Sequence, residues 1–179
     1  MDTSKPGDEK KVAVYIDHPN IVSQKNKSYE YNNEKLMKEI REEVGKVIKC
    51  NSYWAVGGKE SAASREDSTI SQSVFFSAMN HIDLKPIPTI GRENPKNPTD
   101  TRMAVDIMED LYENPHIDVV VIVTSDKDFI PVFRKIIEKG KEGVAIRTDD
   151  SWHLTQFCQN MGVRVKDLGS IMRKHRDQR

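Results

Sequence analysis

The sequence predicts an α/β fold built on a mainly parallel sheet with helices on both faces. Two observations carry this. Short β-branched runs alternate with segments of helical period along the whole chain, strand then helix. The two most apolar runs, Lys11–Asp17 and Asp118–Thr124, are apolar at consecutive positions rather than alternating ones. A strand reads that way when both of its faces are covered, as in a parallel sheet.

The elements follow in order. Residues 1–10 are polar and charged, with Pro6 and Gly7, and read as a leader with nothing to bury. The first strand is Lys11–Asp17. A helix follows over Asn32–Gly45: Leu36, Met37, Ile40 and Val44 share one face, Asn32 or Asn33 can cap the start, and Gly45 can end it. Val47–Val56 is a second strand, and Gly57-Gly58 is a loop. Ser64 with Asp67 resembles a capping box opening a helix to about Asn80. Leu84–Ile90 is a short strand whose two prolines place it at an edge. Gly91–Pro98 is a polar loop, and Asp100 to about Tyr112 is helical. Asp118–Thr124 is the central strand. Helices over Phe129–Glu138 and from Trp152 to about Met161, with Ser151 as cap, flank a strand at Gly143–Arg147. Val163–Val165 is a last short strand, and a short basic helix closes the chain. The expected organisation is a leader (1–10), one domain (11–168) and a basic tail (169–179).

Composition narrows the classes. At 179 residues the chain can bury a real core in one domain. No run approaches the apolar length of a membrane-spanning helix, and MDTSKPGDEKK lacks the apolar stretch of a secretory signal. Two cysteines, Cys50 and Cys158, make neither a disulfide framework nor a structural zinc site, so a cytoplasmic protein with reduced thiols is expected. Lys plus Arg equals Asp plus Glu, 28 each, which argues against a purely electrostatic nucleic-acid binder. The charges are uneven, however. Acids outnumber bases from Arg92 to Asp126, and bases outnumber acids from Arg164 to Arg179.

In open parallel sheets, ligands bind at the carboxyl ends of the strands. The first strand ends at Asp17, followed by His18, Pro19 and Asn20. The central strand ends in Thr124-Ser125-Asp126-Lys127-Asp128, and Asp100 lies in the turn that opens a helix. Three separate segments thus bring carboxylates to one edge. Crowded carboxylates repel one another, and such a cluster persists when a divalent cation neutralises it. Oxygen-only donors favour magnesium or manganese, and bound magnesium keeps waters that can be activated against a phosphate. The bland alternative is local: each Asp can serve as a turn former or cap, Asp128 for the helix that follows.

These residues resemble the NYN domain, a LabA-like branch of the PIN-like nucleases with a Rossmann-like three-layer fold. The matching residues are Val12–Ile16 with Asp17 and Asn20, and Lys96-Asn-Pro-Thr-Asp100, similar to the family's Lys-Gly-Val-Asp, with Asp106 six residues on. The most specific match is Val121-Ile-Val-Thr-Ser-Asp-Lys-Asp-Phe129, followed by Pro131 and Gly140-Lys141. The family carries a residue between the Ser and the first Asp; here Ser125 and Asp126 are adjacent. The family commonly has a small residue after the first Asp, where this chain has His18-Pro19. The likeness runs from about Lys11 to Asp167.

The resemblance implies a metal-dependent ribonuclease that hydrolyses RNA, single-stranded in the simplest reading, with magnesium or manganese. Asp17, Asp100, Asp126 and Asp128 would form the metal site, and Asn20 and Ser125 would orient a ligand or water. Asp106 could join only if Asp100 precedes regular helix, since six helical residues turn the chain about 600°; otherwise it reads as an exposed helix acid. His18 is either a proton carrier or phosphate contact, or a solvated loop residue; Lys127 either meets a phosphate or points to solvent. A homo-oligomer is left open.

The competing reading is an RNA- or protein-binding regulatory module of the same fold without turnover. A haloacid-dehalogenase-type phosphatase is disfavoured, because it would want Asp-x-Asp where this chain has Asp17-His18-Pro19. Trp54 and Trp152 read as partly buried anchors. Lys25–Lys27 with Tyr29 and Tyr31 could hold a single strand or form a flexible loop. Arg164, Lys166, Arg173, Lys174, His175, Arg176 and Arg179 could contact RNA backbone or simply be solvated.

Overall fold

The computed structural model describes residues 9–22, 29–56, 82–88, 96–150 and 152–174. Most of the leader, the Gly57-Gly58 loop, the Ser64–Asn80 helix, the Ser151 cap, Lys25–Lys27 and the end of the tail lie outside the described residues.

The described residues form a six-stranded, all-parallel sheet: β1 (Lys11–Asp17), β2 (Lys46–Val56), β3 (Asp83–Pro88), β4 (Val119–Val123), β5 (Glu142–Arg147) and β6 (Arg164–Asp167). The spatial order is β3-β2-β1-β4-β5-β6. The helices are α1 (His18–Val22), α2 (Asn33–Glu43), α3 (Lys96–Glu113), α4 (Ile130–Glu138), α5 (Trp152–Asn160) and α6 (Leu168–Lys174). A 3-10 turn, Lys127–Phe129, leads into α4.

The alternation of side chains along each strand builds two cores. Val12, Val14 and Ile16 of β1 and Val119, Val121 and Val123 of β4 pack with α2 and α6. Ala13, Tyr15, Val120 and Ile122 face α3, α4 and α5. Every residue of β4 is buried, each contributing roughly 1.5–3 kcal/mol of hydrophobic stabilisation. This explains why β1 and β4 read as unbroken apolar runs.

The sheet confirms most of the expected elements. Asn32 caps α2 by accepting from Lys35 N at 3.0 Å. Gly45 turns the chain out of it at φ 149°, where a Cβ would collide with the Lys10 carbonyl. β3, the strand with two prolines, lies at the sheet edge.

Two elements differ from expectation. The polar loop ends sooner than its prolines suggest: α3 begins at Lys96, with Pro98 inside its first turn. Proline is tolerated there because a first-turn N–H has no intrahelical partner to lose. The short helix α1 was not expected. It starts directly after β1, with Pro19 near its N-terminus and Asp17 accepting from Asn20 N at 3.2 Å.

Candidate active site at the switch point

The sheet order reverses between β1 and β4. From β1 the chain runs outward through β2 to β3, and it later returns to β4 on the other side. The connections therefore diverge above the carboxyl ends of β1 and β4, and a crevice opens there. The strand register pairs Ile16 with Val123, which sets Asp17 level with Thr124.

Asp17 is 2 % exposed. Its Oδ1 accepts from Asn20 N, and its Oδ2 accepts from Thr124 Oγ1 at 2.9 Å. The same Thr124 Oγ1 accepts from Asp126 N at 3.1 Å. Asp126 in turn caps the 3-10 turn, accepting from Asp128 N at 2.9 Å. The acid turn is thus hung from one buried threonine. Asp126 is half-buried, while Lys127 and Asp128 are exposed.

A second layer ties α1 and the end of β5 to this turn. Asn20 Oδ1 accepts from Ser125 N at 3.0 Å and from the Thr148 hydroxyl. Ser125 Oγ accepts from Thr148 N at 2.8 Å and Asp149 N at 2.9 Å. Three segments distant in sequence are locked together, and all three polar residues are buried. Asn20 and Ser125 are therefore brought together with Asp17.

Asp100 lies one turn into α3, partly exposed. Since α3 follows β3, its first turns stand at the same carboxyl edge. Asp106 lies elsewhere on that helix. It is 6 % exposed; Tyr53 donates to its Oδ2 at 2.8 Å, and Arg102 Nε lies 2.8 Å from its Oδ1. Because Asp100 is within regular helix, the two acids point about 120° apart. One further turn along, Asp110 accepts from Tyr15, from Lys49 at 2.8 Å and from Asn114 at 2.7 Å. This buried network pins α3 to β1 and β2. Burial, reinforced by Asp110, pushes the Tyr15 phenol well above its usual range. Burial is also the first cause for Tyr53, with Asp106 adding to it.

His18 is not a solvated loop residue. It is 8 % exposed and stacks on Trp54, with ring centroids 3.2 Å apart and planes at 19°, while Tyr31 meets it edge-on. Tyr29 and Tyr31 pack against the α2–α6 core. Among the described residues the C-terminal bases are committed to acids: Lys166 and Lys174 to Glu39 at 2.7 and 2.8 Å, Arg164 to Glu142, and Arg173 to Asp167 at 3.6 Å; His175, Arg176 and Arg179 lie outside the described residues.

Comparison with known proteins bears on what this geometry is. The NYN domain model matches residues 11–162. The chain belongs to the NYN domain family. That family is part of the PIN-like superfamily, so the domain has a nuclease-type fold. An uncharacterized protein of Methanocaldococcus jannaschii is 36% identical over 78 residues, covering 44% of this chain and 31% of that protein. The chain therefore spans about a third of that relative. A crystal structure of a protein of unknown function from Vibrio parahaemolyticus superposes with TM-score 0.67 at 16% identity, over 94% of this chain and 99% of the other. At that identity the likeness speaks for the fold alone.

NYN and other PIN-like nucleases generally use divalent metals. The candidate donors here are all carboxylate oxygens, which suits a hard cation. Among the described residues, no three His, Cys, Asp or Glu side chains gather closely enough to hold an ion. No helix among them is long and apolar enough to cross a membrane. Thr124 and Thr148 were missed by sequence reasoning. Both follow strands at the carboxyl edge, so the edge rule that selected Asp17 could have selected them.

Proposed function

We propose that this NYN domain is a metal-dependent endoribonuclease acting on single-stranded RNA in the cytoplasm. The observation that supports it best is the single Thr124 hydroxyl holding both Asp17 and the Asp126 backbone at the switch point. Asp17, Asp126 and Asp128, with Asp100 from α3, would hold magnesium or manganese. When bound, such an ion supplies an activated water and neutralises charge on the phosphate. The protein's part is positioning. Thr124 fixes the carboxylate of Asp17, and the Asn20–Ser125–Thr148 clamp keeps the acid turn against the end of β5. A turn held at that many points loses little entropy when the phosphodiester docks. Hydrolysis by this route leaves a 5′-phosphate and a 3′-hydroxyl.

The test is cleavage of a labelled single-stranded RNA with manganese, magnesium or EDTA, by wild type and Asp126→Asn. Metal-dependent cleavage that the substitution abolishes supports the enzyme. A folded wild type that binds the RNA but cleaves it with neither ion leaves the second reading, a regulatory RNA-binding module. The observation that favours that alternative is that, among the described residues, no three such side chains form a group that could hold an ion.

A further inference from the structure

The outer face of α5 carries a composition unlike the rest of the chain. Charged residues make up 31% of the sequence, yet none occurs between Asp150 and Arg164. Leu154 and Cys158 face the core. Trp152, His153, Gln156, Phe157, Gln159 and Asn160 are exposed. Trp152, expected from the sequence to be a partly buried anchor, is 62% exposed, and Phe157 is 47% exposed. His153 meets the Trp152 ring edge-on at 5.3 Å. Helical spacing puts His153, Gln156, Phe157 and Asn160 on one stripe, with Trp152 beside Gln156.

The start of this helix follows closely on the candidate active site along the chain. Ser125 Oγ, beside Asp126, accepts from Asp149 N at 2.9 Å, and α5 begins three residues later. Lys127, in the same turn as Asp126, is exposed. Of the acids just before the helix, Asp150 is paired with Arg147 at 3.3 Å.

We infer that the exposed face of α5 is a base-stacking track for single-stranded RNA leaving the acid turn, with Trp152 and Phe157 as its stacking residues. The inference rests on the nuclease reading for its choice of nucleic acid. Aromatic faces stack on any unpaired base, and His, Gln and Asn side chains can bond base edges. A face without acids does not repel phosphate.

The experiment measures anisotropy of a labelled single-stranded RNA on Asp126→Asn protein, alone and combined with Trp152→Ala, Phe157→Ala or Trp152→Phe. Each alanine change is expected to weaken binding about tenfold, and Trp152→Phe to retain most of it. RNA should also quench Trp152 fluorescence in a Trp54→Phe protein. In the active protein Trp152→Ala should raise KM about tenfold with kcat within about twofold. Unchanged affinity in both alanine variants overturns the track, even if the wild type cleaves RNA. Conversely, a wild type that binds through Trp152 but cleaves nothing keeps the track and sinks the nuclease. Self-association lost in Trp152→Ala with RNA affinity unchanged would assign the face to a protein partner, and the track would fall. Trp152 and Phe157 are exposed, and an unchanged melting temperature checks that the variants fold.

Discussion

Asp17 and Thr124 are joined across the switch point by a 2.9 Å hydrogen bond between neighbouring parallel strands. The bond couples the end of β1 to the end of β4, because the same threonine oxygen receives the Asp126 amide. A carboxylate oriented in this way is prepared before any ligand arrives.

Thr124→Val keeps the shape and removes the hydroxyl. The Asp126 N–H and one Asp17 oxygen then lose their partner inside the protein. Stability should fall by about 1–3 kcal/mol in denaturant unfolding. RNA cleavage should fall at least tenfold, read as kcat with KM little changed. Full activity in a folded Thr124→Val protein would mean that the relay does not position the acids.

Asp17→Asn separates capping from charge. An asparagine oxygen can still accept from Asn20 N, so the melting temperature should drop by only a few degrees. Cleavage should be lost by at least a hundredfold. A large loss of stability together with retained cleavage would return Asp17 to a purely structural role.

Ser125→Ala removes the acceptor of two N–H groups, the buried one of Thr148 and the half-buried one of Asp149. The expected cost is about 1–3 kcal/mol for each group left unsatisfied, moderated by any water that enters. Hydrogen exchange at Thr148 and Asp149 should accelerate selectively, which distinguishes this loss from global softening.

Asp106→Asn tests the structural assignment of that acid. It should retain the Tyr53 contact, lose the Arg102 ion pair, and lower stability by about 1–3 kcal/mol. Metal dependence of cleavage should stay as in wild type. A shifted manganese requirement would instead place Asp106 at the ion.

Alkaline pH should destabilise the fold. Burial pushes the Cys50 thiol up from 9.0 to about 12, and the Tyr15 and Tyr53 phenols also rise. These groups are neutral when protonated, so the folded chain keeps protons that the unfolded chain releases. Their contribution is complete below about pH 9 and is lost as pH climbs toward the folded values. Melting temperature measured from pH 7 to 11 should fall above about pH 9. A flat profile would show that these groups are reached by solvent.

The sequence by itself determined the strands, most helices and the edge on which chemistry should sit. β1 was legible from Lys11 to Asp17 because strand runs and helical periods are local properties of the chain. The placement of Asp17, Asn20, Ser125 and Asp126 at that edge was legible for the same reason: each lies at a strand end or within three residues of one. Only the tertiary structure decided what these residues touch. Thr124 serves two acids because β1 and β4 are neighbours in a particular register, and Thr148 closes the clamp because β5 lies next to them. Asp106 faces Tyr53 rather than Asp100's side because helix phase and sheet position act together. The C-terminal bases look available in sequence, yet Lys166 and Lys174 meet the buried Glu39 of α2, more than a hundred residues earlier in the chain. Trp152, by contrast, stays outside the core. Partners far apart along the chain meet only through packing, and no local pattern records which side chain a register will bring opposite another.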